Sequence, residues 1–193
     1  MSTLVVFTHP CSESFAGAVC QRAIRALGST GADVVVIDLY QDAYLPGQNM
    51  PLHHLSAVEQ ATTIMLIYPT WWSSLPAILL DWMQRAAQCD LSAVTHVASV
   101  ATHGGHRLGS AVTGQSGRHT VGRVLLSRCS GDARFSWLPL YGLDKRSAAS
   151  RSVLLDTIER RIGNLARQND ARSMWASLVQ FRRGEEDVMM DGR

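Results

Sequence analysis

Residues 63–85 read TIMLIYPTWWSSLPAILLDWMQR, which is an apolar run, a connecting loop and a helical pattern in immediate succession. The run TIMLIY shows no polar alternation, and this is typical of a strand covered on both faces, as in a parallel sheet. Ser74, Leu75 and Pro76 then open a helix, because proline is tolerated in a first helical turn. The stretch therefore predicts one strand-loop-helix unit, with two adjacent tryptophans in its loop.

The same succession recurs along the rest of the chain. Apolar runs rich in β-branched residues predict further strands at residues 3–8, 33–38, 94–101 and 134–140. Helical patterns lie between them, at residues 14–27, 117–129 and 147–168. A capping-box pattern from Ser56 to Glu59 predicts the start of another, short helix. This alternation predicts an α/β fold, a doubly wound three-layer sandwich around a five-stranded parallel sheet with right-handed crossovers.

The length of the chain suits one domain. Its 193 residues, 46% of them hydrophobic and 18% charged, have an ordinary globular composition. We expect this domain to cover residues 1–168. Residues 169–193 are charged and poorly patterned, which favours a loosely held extension or an interface arm.

Composition and charge argue against several classes of function. A net charge of +2 with dispersed arginines does not favour nucleic acid binding. The chain does not open with a signal-peptide pattern, and no apolar run approaches the roughly 20 residues of a membrane-spanning helix. The cysteines have no CxxC spacing, which is typical of reduced thiols. We therefore expect a cytoplasmic protein without an integral membrane segment.

Ligands of a doubly wound sheet bind outside the carboxyl ends of its strands, where the strand order reverses. Three loops are predicted there, at residues 9–14, 69–74 and 102–109. The first reads HPCSES and precedes a helix, so its free amides, the hydroxyls of Ser12 and Ser14, and His9 could bind a phosphate. The alternative for Ser12 is a plain helix N-cap.

The first loop does not fit two other phosphate chemistries. A tyrosine-phosphatase loop needs an arginine six positions after its cysteine, and Gly17 stands at that position after Cys11. The GxxxxGK[ST] and GxGxxG patterns of nucleotide-binding loops are also missing. A flat ligand with a terminal phosphate remains.

The other two loops suit the flat part of such a ligand. Trp71 and Trp72 offer aromatic faces, while Gly104 and Gly105 let the backbone approach a ring closely. A phosphate at one end and an aromatic system at the other describe FMN. The alternative is that Trp71, Trp72 or both are core residues at a strand exit, as we expect for Trp82 in the following helix.

Two pairs of histidines resemble metal-ligand pairs. They are His53 with His54, and His103 with His106. No carboxylate or third ligand stands at a supporting spacing in the sequence. We therefore expect solvated or hydrogen-bonding histidines and no metal site.

Several motifs together resemble a known family. They are HPxxxSF at residues 9–15, DLY at 38–40, YPxWW at 68–72, PAIL at 76–79, WxxR at 82–85 and THGG at 102–105. Over residues 3–105 the chain is similar to the NAD(P)H:quinone oxidoreductases of the flavodoxin-like superfamily. The resemblance implies a strand order of 2-1-3-4-5, a flavodoxin-like flavin-binding domain and a homodimer.

The resemblance also implies which residues hold the flavin. The phosphate end would contact His9, Ser14 and Phe15, and the residue types of the loop add Ser12. The ring system would lie against a longer set of residues: Pro69, Thr70, Trp71, Trp72, Thr102, His103, Gly104 and Gly105. Relatives have threonine at the position of His103 in this stretch, so the contact made there is particular to this chain.

The activity that the resemblance implies is flavin-dependent reduction of quinones or similar small-molecule acceptors by NAD(P)H, with ping-pong hydride transfer. We expect FMN in preference to FAD, because no extra segment is available to hold an adenosine. Larger relatives carry a tyrosine and a histidine as a proposed proton relay that this chain lacks, so His106 is the candidate catalytic residue. Two alternatives remain open: an ancillary subunit, for example of a potassium-efflux system, and a scaffold that has lost flavin binding.

Overall fold

The computed structural model describes residues 2–71, 74–105 and 116–190, and over the last of these ranges it describes the side chains of residues 117–171. The strands of this part of the chain are β1 (Ser2–Phe7), β2 (Asp33–Asp38), β3 (Thr63–Pro69), β4 (His96–Thr102) and β5 (Arg134–Leu140). They form one parallel sheet in the order β2-β1-β3-β4-β5. The predicted α/β sheet and its strand order are confirmed.

Helices cover both faces of this sheet. They are α1 (Phe15–Gly28), α2 (Leu52–Glu59), α3 (Ala77–Ala86), α4 (Ser116–Val124) and α5 (Ala148–Met190), with short 3-10 turns at Leu126–Arg128 and Leu143–Lys145. One apolar cluster joins the sheet to α2, α3 and α4, and a second joins it to α1 and α5. Two helical layers around a central sheet give the predicted three-layer sandwich.

Burial follows the apolar runs of the sequence. Every residue of β3 and β4 is buried, as expected for central strands covered on both faces. The strand β2 lies at one edge of the sheet, and Val35 and Val36 there are exposed. Trp82 of α3 is fully buried, which confirms that it is a core residue.

Two predicted helix starts are wrong. Helix α2 begins at Leu52 after Pro51, so the Ser56 hydroxyl accepts from Gln60 Nε2 (2.8 Å) inside the helix and caps nothing. Pro51 has a φ of −57°, which already suits the start of a helix, so the helix begins there and not at the capping box. Helix α3 begins after Pro76, because Ser74 is held outside it by two backbone hydrogen bonds with Trp71 (2.9 and 3.2 Å).

The last helix departs most from the sequence pattern. Its predicted end was residue 168, whereas α5 continues to Met190. The regular four-residue spacing of apolar residues stops near residue 169, but no proline interrupts residues 148–190 and most of these residues have good helix propensity. The predicted role of this segment as a loosely held extension or interface arm stays a prediction.

Candidate functional site

A cleft opens at the carboxyl ends of the central strands. Its volume is about 430 Å³, which is within the usual range for a site that binds a small molecule or cofactor. The loops after β1, β3 and β4 all contribute to its lining through His9, Ser14, Phe15, Ala16, Pro69, Thr70, Trp71, Thr102 and Gly104. The structure therefore brings together most of the residues that the sequence singled out.

Three predicted site residues stand apart from this lining. Ser12 is exposed in the first loop, Gly105 is exposed next to Gly104, and His103 is buried behind the cleft. Trp72 and His106 lie outside the described residues.

The first loop is shaped by the start of α1. Ser14, and not Ser12, is the N-cap, since the Ser14 Oγ accepts a hydrogen bond from the Gly17 amide (3.1 Å). The alternative that Ser12 caps the helix is therefore wrong. A Cβ on Gly17 would lie 1.8 Å from the Ser12 carbonyl oxygen, so the loop can fold against the helix only because residue 17 has no side chain.

The orientation of His9 is fixed by the same loop. Its Nδ1 lies 3.0 Å from the Cys11 amide nitrogen and 2.9 Å from the Cys11 carbonyl oxygen, and its ring stacks near Phe7 with 6.5 Å between the ring centroids. Nδ1 accepts from the amide in one tautomer and donates to the carbonyl in the other. In both cases the loop backbone holds the ring, and Nε2 is left for a ligand at the edge of the cleft.

The second loop positions one exposed tryptophan. Thr70 is anchored to β4, because its amide and its hydroxyl both donate to the Thr102 carbonyl (2.8 and 3.2 Å). The side chain of Trp71 is 45% exposed and lines the cleft. The alternative that Trp71 is a core residue is wrong.

His103 supports the cleft from behind. Its Nδ1 lies 2.8 Å from the Thr70 hydroxyl, and its ring packs against Tyr141 with 4.6 Å between centroids. Burial lowers the pKa of His103, so the neutral form is favoured. The Nε2 atom is buried and has no hydrogen-bond partner among the described groups. This arrangement makes His103 a residue that orients Thr70.

The loop after β5, which carries none of the sequence motifs and was not predicted, closes one side of the cleft. Leu143, Asp144 and Arg151 contribute to the lining. The backbone of this loop bonds to the third loop, with the Gly142 amide donating to the Gly105 carbonyl (2.9 Å) and the Leu143 amide to the His103 carbonyl (3.2 Å). The signal that could have found it is its place after a fifth parallel strand, at the same edge of the sheet.

This loop also places the Asp144 carboxylate against Gly104. A Cβ on Gly104 would lie 2.3 Å from Asp144 Oδ2, so a side chain at residue 104 would displace that carboxylate. Arg151 donates to the Leu143 carbonyl (3.0 Å), while its Nε is buried and has no partner among the described groups. Arg151 therefore brings a cationic group to a cleft whose first loop has no lysine or arginine.

One expectation about the histidine pairs needs correction. The structure places the Asp42 carboxylate beside His53 and His54, where the sequence showed no supporting carboxylate. Asp42 belongs to the segment after β2, which the chain folds back onto the start of α2. His54 is the hydrogen-bonding histidine that we expected, with its Nε2 3.0 Å from Asp42 Oδ2.

No helix in the described part of the chain has the length and apolar character needed to cross a bilayer. The described cysteines are all free, with Cys11 exposed and Cys20 buried.

Comparison with known proteins agrees with this architecture. A family model described as a flavodoxin-like fold matches residues 1–123. A Haemophilus influenzae protein, named an uncharacterized NAD(P)H oxidoreductase, is 30% identical in a match that covers 44% of this chain and 50% of that protein. The chain spans about half the length of the curated relatives it matches.

Solved structures show the same fold at low sequence identity. An NAD(P)H:quinone oxidoreductase from Methanothermobacter marburgensis is similar with a TM-score of 0.72 and 22% identity, over 86% of this chain and 96% of that one. An FMN-dependent NADH-azoreductase from Bacillus anthracis, solved in complex with FMN, has a TM-score of 0.62 and 14% identity, over 87% of this chain and 99% of that one.

Proposed function

The chain belongs to the flavodoxin-like fold family, and from this premise we propose that it is an NAD(P)H oxidoreductase that holds a flavin in the cleft. The observation that carries the proposal is the convergence of three loops and the loop after β5 on one cavity of about 430 Å³. The names of the relatives, an NAD(P)H oxidoreductase and a quinone oxidoreductase among them, point in the same direction. Quinones or similar small molecules are the proposed acceptors.

The phosphate end of the flavin fits the start of α1. The amides of Phe15 and Ala16 lie in the first turn, where backbone N–H groups have no acceptor within the helix. Ser14 Oγ already accepts from Gly17, so its hydroxyl hydrogen is available to donate to a phosphate oxygen. The positive end of the helix dipole adds to this, and His9 Nε2 donates as well in the tautomer that carries its proton there; together these groups suit a phosphate.

The ring end fits the second and third loops. Trp71 forms one wall, and Gly104 leaves room for close approach of a ring to the backbone. The amides of Thr70 and His103 are already engaged with the carbonyls of Thr102 and Leu140, so those of Gly104 and Gly105 are the candidates to stabilise negative charge on the ring.

A bound flavin would supply the redox chemistry, taking a hydride from reduced nicotinamide and passing two electrons to the acceptor. The protein has to hold the ring, keep one face of it open and exclude water from the other. Because the nicotinamide and the acceptor would use the same open face, we propose that they react one after the other, in a ping-pong sequence. We also propose FMN in preference to FAD, and the cytoplasm as the setting.

We propose further that two copies of the chain assemble as a homodimer. The support is a set of exposed apolar side chains on segments at the carboxyl edge: Leu45 at 56%, Leu52 at 83% and Trp71 at 45% exposure. Large exposed apolar side chains would be covered if this edge of the sheet met a second copy. Light scattering of the purified chain tests this, and a monomer at micromolar concentration would contradict it.

The experiment for the activity is NAD(P)H oxidation by the flavin-loaded chain with a soluble quinone and no other protein present. Stimulation by the quinone is the expected result. The variant Trp71→Ala should lower kcat/KM, whereas Val153→Ala, a change at a 65% exposed position that is not part of the cleft lining, should leave it unchanged. A flavin-loaded chain that does not respond to free acceptors would contradict the proposal and favour an ancillary subunit.

A further inference from the structure

Three side chains outside the cleft bring atoms that can bind a metal ion close together. Asp42 lies in the segment after β2, and His53 and His54 lie in the first turn of α2. The Asp42 Oδ2 is 3.0 Å from His54 Nε2 and 3.7 Å from His53 Nε2. All three ligand atoms lie within 4.8 Å of one another. None of the three residues is part of the cleft lining.

These distances match those between ligands of a bound metal ion. Zinc binds imidazole nitrogen and carboxylate oxygen at about 2.0–2.2 Å, usually in a tetrahedron. Two ligand atoms of such a tetrahedron are therefore about 3.3 Å apart, by simple geometry from those bond lengths. The two nitrogen–oxygen distances, 3.0 and 3.7 Å, lie on either side of this value, and the two nitrogens are at most 4.8 Å apart. Rotation of the exposed His53 side chain would then bring its nitrogen to the distance that one shared ion requires.

The scaffold around the cluster is well supported. His54 is fully buried and packs against Tyr44, with 5.9 Å between ring centroids. Tyr44 donates to Asp81 (2.6 Å), which in turn accepts from Arg85 (2.9 Å) on α3. Ala43, directly after Asp42, has a φ of 49°, a left-handed conformation that non-glycine residues adopt at a cost. The segment that carries Asp42 is thus held to α3 through Tyr44.

The cluster also remains open to solvent. His53 is 65% exposed and the Asp42 side chain 30% exposed, so an ion can enter, and water can complete its coordination. Two imidazoles and one carboxylate suit zinc and its transition-metal neighbours better than magnesium or calcium, which prefer ligands that are all oxygen.

We propose that Asp42, His53 and His54 form a binding site for a divalent transition cation of the zinc class. The ligands are Asp42 Oδ2 and the Nε2 atoms of the two histidines. The bound ion ties the segment after β2 to the first turn of α2. This site is separate from the flavin cleft, and its existence does not depend on the proposed activity.

The test is isothermal titration of the full-length chain with ZnCl₂ after removal of metals with a chelator. One Zn²⁺ per chain is expected. The variants His53→Gln and Asp42→Asn should each weaken the affinity at least about 10-fold, which is the loss that even a change next to a ligand causes. The matched control His119→Gln removes another exposed histidine, on α4, and should bind Zn²⁺ as the parent does.

X-ray absorption of the zinc complex separates this site from the thiols of the chain. The spectrum should show nitrogen and oxygen ligands and no sulfur. Zinc should also raise the Tm of the parent chain and not that of His53→Gln, because an ion that binds only the folded state stabilises it. The proposal is overturned by a sulfur ligand, by equal affinity of His53→Gln and His119→Gln, or by the lack of stoichiometric binding.

Discussion

Replacement of Gly17 by alanine should weaken both the fold and flavin binding. In most helices this change stabilises, by up to about 1 kcal/mol. Here the new Cβ would lie 1.8 Å from the Ser12 carbonyl oxygen and 2.7 Å from its carbonyl carbon. These are backbone atoms, so the whole first loop must move by more than about an ångström to reach an ordinary van der Waals separation.

The magnitude follows from two opposing contributions. Overpacking of this kind costs about 1–3 kcal/mol, and we take the upper end because no flexible side chain can yield. Subtracting the helix preference leaves a net loss of about 2 kcal/mol. For a chain of this size that corresponds to a decrease in Tm of about 4–8 °C. Movement of the first loop should also displace the amides and the Ser14 hydroxyl, with at least about a tenfold loss of FMN affinity, or about 1.4 kcal/mol.

Thermal unfolding of the flavin-free chain and a fluorescence titration with FMN measure the two effects. Gly28→Ala is the matched control, since Gly28 ends the same helix and a Cβ there meets nothing within 4 Å. This variant should unfold at or slightly above the temperature of the parent and bind FMN equally well. If Gly17→Ala behaved like Gly28→Ala in both measurements, the described contact between the first loop and α1 would be refuted.

Three other expected outcomes concern separate parts of the chain. Trp71→Ala should reduce FMN affinity about 3- to 10-fold while changing the flavin-free Tm by less than about 2 °C, because the side chain is largely exposed and contributes mainly an aromatic face; equal losses would make it a core residue. Iodoacetamide should label Cys11 first in a mass-spectrometric time course, because Cys11 is exposed while burial raises the pKa of Cys20 to about 12 and that of Cys129 to about 11; early labelling of Cys20 would contradict this. Burial, with repulsion from Arg134, lowers the pKa of His96. As the pH falls below about 6.5, His96 therefore binds a proton in the unfolded chain but not in the folded chain. The free energy of unfolding should therefore decrease by up to about 1.4 kcal/mol per pH unit from about pH 6.5 down to that lowered pKa, and His96→Gln should show a shallower slope in urea titrations.

The sequence predicted the sheet well because its strands are continuous apolar runs. All seven residues of β3 and of β4 are buried, and a short, continuous apolar run of this kind is typical of a strand in a parallel sheet. The helices that follow these strands were predicted for a similar reason, since the spacing of their apolar residues decides which face packs on the sheet. Trp82 is fully buried in the position that this spacing gives it.

Helix ends were predicted less well, because several local signals compete for them. Ser56 and Glu59 form a capping box in the sequence, but Pro51 starts the helix one turn earlier. The end of α5 could not be predicted from the apolar stripe, because the regular four-residue spacing stops near residue 169 while residues with good helix propensity continue.

The site was predicted in part, for a topological reason. Loops at the carboxyl edge follow directly from the strand order, so His9, Thr70 and Gly104 were placed correctly at one cleft. Arg151 was missed because it reaches the cleft from the start of α5, far along the chain from the motifs. Asp42 was missed for a similar reason. Its approach to His54 depends on how residues 39–51 fold back, and no sequence motif predicts the conformation of that segment.

The most direct test of the account is the absorption spectrum of the purified chain, followed by chromatography of whatever chromophore is released on heating. We predict the visible bands of a flavin, FMN as the released molecule, and close to one FMN per chain after reconstitution. A colourless protein that stays colourless after incubation with excess FMN would contradict the central claim, whatever the outcome at Asp42, His53 and His54.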